Sequence, residues 1–395
     1  MNSDRIYLDN AATSWPKPES VYQAVETYQR ENGAPAGRSA YHDATHAEWI
    51  VGHARGQLAD LIRAESPSNI VFTFNGTDSL NLAIHGLLKS GDHVVTSVVE
   101  HNSVLRPLKH LEQTRGIRVT RVDCDGQGRV NPDDIEQAIT SKTRLVAIIH
   151  ASNVTGVIQP VEEIGRIARQ HGLIYLVDAA QTAGHLPINV GQMGAHLLAA
   201  PGHKSLLGPL GTGFLYIAQD AVDLLQPLRQ GGTGTQSEQD IQPSGTPEKF
   251  ESGNHNVAGL AGLAAGLEFI RSKDVSTLRE HQQRLTSMLL DGLSELSGVT
   301  THGPSDEDER VGVVSLTMAG YDPQEVASLL DTEYAIQIRA GIHCAPLIHE
   351  RLSTGRRGGT ARVSIGPFNT EEQVETTIRA IGEVAASATV WDDTK

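Results

Sequence analysis

The stretch TRLVAIIHASNVTGVIQPVEEIGRIARQHGLIYLVDAAQ, residues 143–181, decides the fold class. It opens and closes with short apolar runs that do not alternate with polar residues, which predicts two strands buried on both faces. Between them, VEEIGRIARQHG places apolar residues on one side of a helix that ends at a glycine. Because a helix between two buried strands is the repeating unit of a parallel sheet, we expect an α/β fold.

The same alternation continues on the amino-terminal side of this stretch. It predicts buried strands at 69–74, 92–97 and 117–123 and helices at 76–88 and 103–116, the second despite Pro107. Together these segments predict a mostly parallel sheet with helices on both of its faces.

The pattern changes after about residue 270. It predicts a long amphipathic helix at 276–296 and strands at 311–318, 334–339 and 360–365. We therefore expect residues 16–270 to form a large domain, and residues 1–15 with 271–395 to form a smaller α+β domain.

The segment 231–254 is polar and rich in glycine and serine, which predicts a long loop. A loop of this length in a compact enzyme is usually functional or reaches a neighbouring subunit. The glycine-rich segment 353–360 is a second candidate for a mobile loop.

Composition and charge limit the classes of partner. The 395 residues carry a formal net charge of −15, which argues against a nucleic-acid backbone or an anionic membrane as the main partner. The two cysteines, Cys124 and Cys344, cannot form a disulfide framework and fit a reducing compartment. Residues 1–18 do not resemble a secretion signal, and no apolar run is long enough to span a membrane. We expect a cytoplasmic protein.

A carboxylate and a lysine stand out near the predicted strand ends. Asp178 directly follows the apolar run LIYLV, at the sheet edge where α/β proteins bind ligands, and a buried carboxylate needs a cationic partner. Lys204 lies in PGHKSLLGPLGTG, which lacks the upstream glycine of a nucleotide-binding P-loop. A lysine among small residues can instead form a Schiff base. A helix-capping Asp178 and a surface Lys204 remain alternatives.

Three further residues occupy positions that are typical of ligand contacts. FNGTDSLN ends a strand and starts a helix, where free N–H groups and the hydroxyl of Thr77 can bind an anion. His101 follows a strand and can stack on a ring or relay protons, and Arg362 can bind a carboxylate through two hydrogen bonds. An ordinary helix cap, a structural histidine and a surface arginine are the corresponding alternatives.

Cys344 lies in the loop sequence RAGIHCAPL, close to Arg339 and His343. Cationic neighbours favour the reactive thiolate form of a cysteine. Zinc binding is a weaker interpretation, because Cys344 and His349 supply only two spaced ligands. Cys124 lies between two aspartates, and we expect it to be inert.

Taken together, these stretches resemble the cysteine desulfurase and selenocysteine lyase group of class V aminotransferase-like enzymes. The resemblance spans nearly the whole chain in order and spacing. It rests on YLDNAAT, EHNSV, ASNVTGVIQP, VDAAQTAGH, GHKSLLGPLGTG, FESGN, RAGIHCAPL and TARVSIGPFNT. It implies the pyridoxal 5′-phosphate (PLP)-dependent fold type I, with a mostly parallel, seven-stranded-type sheet in the large domain and a smaller α+β domain.

The resemblance also implies a role for each candidate residue. Lys204 would form the Schiff base with PLP and then move protons, and Cys344 would be the nucleophile that takes sulfur from the substrate. Contacts to the PLP ring are implied for Asp178 at the pyridine nitrogen, Gln181 at the phenolate oxygen and His101, which stacks and serves as acid or base. Contacts to the phosphate are implied for the backbone of Gly76, Thr77 and His203, and contacts to the substrate for Asn153, Arg339 and Arg362.

The reaction implied by the resemblance converts L-cysteine to L-alanine. It leaves a persulfide on Cys344, from which the sulfur passes to an acceptor protein or a small thiol. The context RAGIHCAPL resembles the second type of the group, which has a short ordered loop. A homodimer with shared sites is also implied, in agreement with the long segment 231–254.

Three positions depart from the pattern of the group. Gly76, Pro201 and Asn254 stand where many relatives have a hydroxyl residue near the phosphate. Each change removes a hydrogen-bond donor, although the amide of Asn254 can still donate. Thr233 and Thr235 are candidates to compensate.

Several other functions remain open at the level of the sequence. A selenocysteine lyase is a close alternative, and an aminotransferase or epimerase on the same scaffold would not need Cys344. A protein that kept the fold for binding alone would have no need of Asp178, Lys204, His101 and Arg362 together. No motif supports a P-loop nucleotidase.

Overall fold

The structure is a computed structural model that describes residues 5–37, 40–236 and 238–387. The described residues contain thirteen strands, which are β1 (Ile6–Tyr7), β2 (Ile70–Thr73), β3 (His93–Ser97), β4 (Arg118–Val122), β5 (Thr143–Ile149), β6 (Ile174–Asp178), β7 (Leu197–Pro201), β8 (Gly213–Ile217), β9 (Val299–His302), β10 (Val313–Met318), β11 (Ile336–Gln337), β12 (Arg339–Gly341) and β13 (Thr360–Ser364). They also contain twelve α-helices, which are α1 (Glu19–Thr27), α2 (His42–Ile62), α3 (Gly76–Leu87), α4 (Asn102–Arg115), α5 (Pro132–Gln137), α6 (Val161–Gln170), α7 (Val190–Met193), α8 (Val257–Lys273), α9 (Val275–Ser294), α10 (Pro323–Tyr334), α11 (Pro346–Arg351) and α12 (Glu371–Ser387). None of the helices in these ranges has the length and apolar composition needed to cross a membrane.

Seven strands form the large sheet, in the order β2-β8-β7-β6-β5-β3-β4. All of them run in one direction except β8, which is antiparallel to its neighbours β2 and β7. The predicted α/β fold with a mostly parallel sheet is confirmed.

The stretch 143–181 folds as the predicted strand–helix–strand unit. β5 and β6 pair in parallel, with Ile149 opposite Asp178, and α6 connects them. Alternate residues of β5 enter two different cores, with Val146 on one face of the sheet and Ala147 on the other. Burial on both faces therefore explains why this strand has no polar alternation.

The edge strand β4 differs from the prediction that it is buried on both faces. Arg118 and Thr120 are exposed, whereas Val122 is buried. The reason is its position, because β4 is the last strand of the sheet and, among the described residues, pairs with β3 alone.

A second sheet has the order β12-β13-β10-β9 and is antiparallel throughout. The helices α9, α10 and α12 pack around it in a separate apolar core. The predicted strand at 334–339 is wrong as a single element. It divides into β11, which pairs with β1, and β12, which pairs with β13. The pairing of β1 with β11 supports the grouping of residues 1–15 with 271–395, which stays a prediction.

Two buried strands flank Lys204, and the sequence analysis did not predict either. β7 ends at Pro201 and β8 begins at Gly213, so residues 202–212 form the loop between antiparallel neighbours. The helices α1, α2 and α8 were also not predicted. The described residues of the segment 231–254 contain no helix or strand, as predicted.

Candidate active site

A cavity of about 200 Å³ lies at the carboxyl ends of the parallel strands. The last residues of β5, β6 and β7, which are Ile149, Asp178 and Pro201, line it. The predicted site residues that also line it are Gly76, Thr77, His101, Asn153, Gln181, His203, Lys204, Arg339 and Arg362. Cys344 lies next to this wall, with its Sγ atom 3.7 Å from Nη2 of Arg339. The structure therefore brings these candidates and Cys344 to one place.

Burial shifts the pKa values of both Asp178 and Lys204. Burial raises the pKa of Asp178, while the backbone N–H of Ala180 and the nearby Lys204 oppose the rise. Burial also lowers the pKa of Lys204 to about 8, and Asp178 opposes this change. An amine with this pKa loses its proton close to neutral pH, so Lys204 can act as a nucleophile and as a base.

The loop that carries Lys204 is held by the amino-terminal segment. The hydroxyl of Ser14 donates to the carbonyl of Lys204 at 2.8 Å, and Nζ of Lys17 donates to the carbonyl of His203 at 2.7 Å. Burial lowers the pKa of Lys17 to about 8. Sequence reasoning missed both residues, because the contacts span about half the chain and follow no periodicity.

His101 caps the amino terminus of α4 and is neutral. Its Nδ1 atom accepts the backbone N–H of Ser103 at 3.0 Å, so the ring proton is on Nε2. Burial, with a contribution from Lys204, lowers the pKa of His101 to about 4. The hydroxyl of Ser103 lies 2.8 Å from that of Thr77, which places a second hydroxyl at the cavity. The sequence analysis missed Ser103, although it is part of the EHNSV segment.

Gly76 and Pro201, two of the three residues that depart from the pattern of the group, lie next to each other in the structure. A Cβ atom at residue 76 would lie 3.1 Å from Cδ of Pro201, so glycine leaves the room that the proline ring occupies. The first N–H groups of α3, the hydroxyl of Thr77 and the imidazole of His203 remain as donors. Nδ1 of His203 is buried and has no hydrogen-bond partner among the described residues. These groups together can donate hydrogen bonds to an anion despite the departures at Gly76 and Pro201.

Asn254, Thr233 and Thr235 lie elsewhere. Asn254 is exposed and lines a second cavity with the two threonines, of about 310 Å³. They are absent from the lining of the cavity around Lys204 in this chain.

Arg362 is buried at the cavity, and two of its three guanidinium nitrogens are engaged. Nη1 donates to the carbonyl of Asn153 at 3.0 Å, and Nη2 donates to Oδ1 of Asp9 at 2.6 Å. Nε is buried and has no partner among the described residues. Nε–H is thus the donor of Arg362 that remains available for a carboxylate that enters the cavity. Asp9 belongs to the YLDNAAT segment, but the sequence did not reveal its contact with Arg362.

Asn153 and Gln181 each have one group already engaged. Nδ2 of Asn153 donates to the carbonyl of His343, and Nε2 of Gln181 donates to the carbonyl of Ala11. Oδ1 of Asn153 is buried without a partner among the described residues. Asn153 thus contacts the Cys344 loop as well as the cavity.

Cys124 has the opposite environment from Cys344. It is buried, and burial followed by the charge of Asp123 raises the pKa of its thiol to about 11. A thiol of this kind is inert near neutral pH.

Within the described ranges, no group of three or more His, Cys, Asp or Glu residues could hold a metal ion.

Known proteins resemble this chain over nearly its whole length. Residues 6–377 match the family model of aminotransferase class-V. A probable cysteine desulfurase of Methanothermobacter thermautotrophicus is 39% identical and covers 97% of this chain and 95% of the relative. One of Pyrococcus abyssi is 36% identical, with coverages of 98% and 96%. The apo structure of a cysteine desulfurase from Thermococcus onnurineus superposes with a TM-score of 0.90 at 36% identity, covering 97% of this chain and 95% of that one. This chain belongs to the aminotransferase class-V family.

Proposed function

We propose that this chain is a PLP-dependent cysteine desulfurase that converts L-cysteine to L-alanine and passes the sulfur through Cys344 to an acceptor. The observation that carries the proposal is one cavity that joins Lys204, Asp178, His101 and Arg362, with the Cys344 thiol at its wall. The activity named for the relatives agrees with this set of residues.

The cavity fits PLP because its groups match the parts of that molecule. The amine of Lys204 suits the aldehyde, the carboxyl of Asp178 suits the pyridine nitrogen, and the donors around Thr77 and His203 suit the phosphate. Neutral His101 suits stacking on the ring. Bound PLP would supply an electron sink for negative charge at the substrate Cα.

Arg362 orients the substrate in this proposal. Its guanidinium, whose Nε–H has no partner among the described residues, binds the carboxylate of L-cysteine, while Asp9 and the carbonyl of Asn153 fix its plane. The orientation places the substrate Cα near Lys204, whose neutral amine removes the Cα proton.

Cys344 then takes the sulfur. Its thiolate, next to the Arg339 guanidinium, forms an S–S bond with the substrate sulfur as the substrate Cβ–S bond breaks. The electron pair of the broken bond stays on the three-carbon fragment, which gains protons and leaves as L-alanine. The persulfide on Cys344 is the sulfur donor for an acceptor protein or a small thiol.

We expect a cytoplasmic homodimer. Asn254, Thr233 and Thr235 lie outside the cavity of their own chain, so a contact of these residues with phosphate would belong to the partner's cavity. Sedimentation with and without PLP would test the dimer.

Covalent attachment of PLP to the apoprotein is expected to speed up as the pH rises through about 8. Because the pKa of Lys204 is lowered, its amine is largely protonated below this pH and largely free above it. The rate constant of the visible absorbance change after mixing apoprotein with PLP, measured from pH 6 to 10, checks this. A rate that falls over this range would contradict the assignment of Lys204 as the attacking amine.

Asp9→Asn is expected to raise the KM for L-cysteine about tenfold, with a small change in kcat. The substitution removes the charged acceptor that orients Nη2 of Arg362, and a hydrogen bond to a charged group contributes about 1.5–3 kcal/mol. Steady-state alanine production measures both constants. Glu371→Gln is the matched control, since it removes the carboxylate of an exposed ion pair with Arg284. An unchanged KM in Asp9→Asn would show that Arg362 does not need this partner.

A further inference from the structure

The backbone around Cys344 adopts an unusual conformation. His343 has φ = 50° and Cys344 has φ = 60°, so two successive non-glycine residues lie in the left-handed region. Residues other than glycine rarely adopt this backbone conformation, because it brings their Cβ atom too close to the following carbonyl oxygen. The surroundings must therefore hold this turn in place.

Hydrogen bonds from two helices and a loop hold the carbonyls of the turn. The carbonyl of Ile342 accepts Nε2–H of His349 at 3.1 Å, and that of His343 accepts Nδ2 of Asn153. The carbonyl of Cys344 accepts the N–H of Asn102 at 2.7 Å. Asn102 directly follows His101, so the turn is tied to the helix that positions the cavity imidazole.

The side chain of His343 provides the fourth anchor. It is 2% exposed, and its Nε2 atom lies 2.9 Å from the carbonyl oxygen and 3.0 Å from the hydroxyl of Thr360 in β13. A carbonyl only accepts, so the ring proton is on Nε2. The Thr360 hydroxyl in turn donates to Ser315, whose hydroxyl donates to the carbonyl of Val154. His343 thus joins the Cys344 turn through Nε2 to a chain of hydrogen bonds in the second sheet, while its Nδ1 has no partner among the described residues.

Burial lowers the pKa of His343 to about 2. The ring is therefore neutral over the working pH range, and too weak a base to take a proton from a thiol.

We propose that His343 is a positioning residue for the nucleophile, whose Nε2–H bond to Thr360 keeps the left-handed turn formed and Cys344 Sγ beside Arg339 at the cavity. The inference rests on the proposed function and adds to it the side chain that aims the thiol. His343 also lines the cavity, but its ring is bonded to Thr360, so we expect its replacement to affect the sulfur transfer more than the binding of L-cysteine by Arg362 and Lys204.

The test compares three replacements of His343 in the holoenzyme. In His343→Gln the side-chain amide places an N–H donor about where Nε2 lies. In His343→Asn the amide is shorter and extends only to the position of Nδ1, and His343→Leu has no donor. Rapid mixing with L-cysteine gives the rate of the cofactor absorbance change, and quenching followed by mass spectrometry gives the rate of persulfide formation on Cys344. We expect the first rate to stay within about threefold of wild type in all three, and the second to fall about 10²-fold in the Asn and Leu variants. The Gln variant should retain most of the second rate.

His302→Gln is the matched control. Nε2 of His302 lies 3.1 Å from the hydroxyl of Thr317, so it makes the same kind of bond between β9 and β10 without touching the Cys344 turn. Both rates should stay at the wild-type level. Thr360→Val is the milder variant if the others do not fold, because it removes the hydroxyl and leaves the carbonyl acceptor. We expect a loss of about tenfold in persulfide formation from it.

A measurement on the apoprotein does not depend on the reaction. Alkylation of Cys344 by iodoacetamide should slow severalfold in His343→Asn, because the thiol loses its place beside Arg339. Equal alkylation and persulfide rates in wild type and His343→Asn would overturn the inference, as would a Gln variant as impaired as the Leu variant. A wild-type enzyme that forms no persulfide would instead refute the proposed function, and the alkylation rates would then decide the role of His343.

Discussion

Lys204→Ala is expected to lower the turnover of L-cysteine by about 10⁴-fold or more, since in the proposed function this one side chain provides both the covalent attachment and the base. Its pKa of about 8 and its place beside Asp178 give Lys204 both abilities. The variant should also lose the PLP that remains bound after dialysis and borohydride treatment of the wild type. Alanine production and the visible absorbance spectrum measure the two effects.

Two control variants isolate the chemistry of this amine. Lys204→Arg keeps the positive charge but should be as inactive as Lys204→Ala, because a guanidinium stays protonated. Lys89→Ala removes an exposed lysine outside the cavity and should behave as wild type. A Lys204→Ala protein that kept a tenth of the activity and its covalent PLP would remove Lys204 from the mechanism.

Cys344→Ala is expected to reduce sulfur transfer from L-cysteine about 10³-fold or more, while L-cysteine and PLP still bind. The nucleophile is lost, but Arg362 and Lys204 keep their contacts. Alanine and sulfide production report the loss, and the change of the cofactor spectrum on adding L-cysteine reports the binding that remains.

Cys124→Ala is the control for this experiment. Cys124 is buried with a pKa of about 11, so its removal should leave sulfur transfer unchanged. The same pair of variants separates a desulfurase that needs Cys344 from an aminotransferase, epimerase or other lyase on this scaffold. Unchanged turnover to alanine and sulfide in Cys344→Ala would favour these other activities.

The sequence predicted the elements whose signals are local. β5, α6 and β6 follow from continuous apolar runs and helical spacing, and the strand-end position of Asp178 follows from the same pattern. The residue patterns also raised Lys204 and Cys344 as candidates, and the resemblance gave them roles; the structure brings them to one cavity and its wall.

Pairing partners were harder to predict, because apolar patterns do not specify them. The strand at 334–339 divides in two since Ile336 pairs with Ile6 and Arg339 pairs with Arg362. The edge position of β4 and the antiparallel direction of β8 depend in the same way on contacts distant in sequence.

The supports of the site also come from distant segments. Asp9 bonds to Arg362 although most of the chain separates them in sequence, and Ser14 bonds to Lys204 across about half of the chain. Neither pair has a recognisable spacing. The left-handed turn at His343 and Cys344 could not be predicted from the sequence, because neither of its left-handed residues is a glycine. Such contacts are set by the tertiary fold, which aligns segments that carry no local signal for each other.

The most direct test is a single turnover of wild-type holoenzyme with L-cysteine in the absence of reductant. The account predicts one additional sulfur atom on the peptide that contains Cys344, in an amount equal to the L-alanine released, and none on the peptide that contains Cys124. Release of L-alanine with the sulfur appearing only as free sulfide, from a chain in which Cys344 stays unmodified, would contradict it.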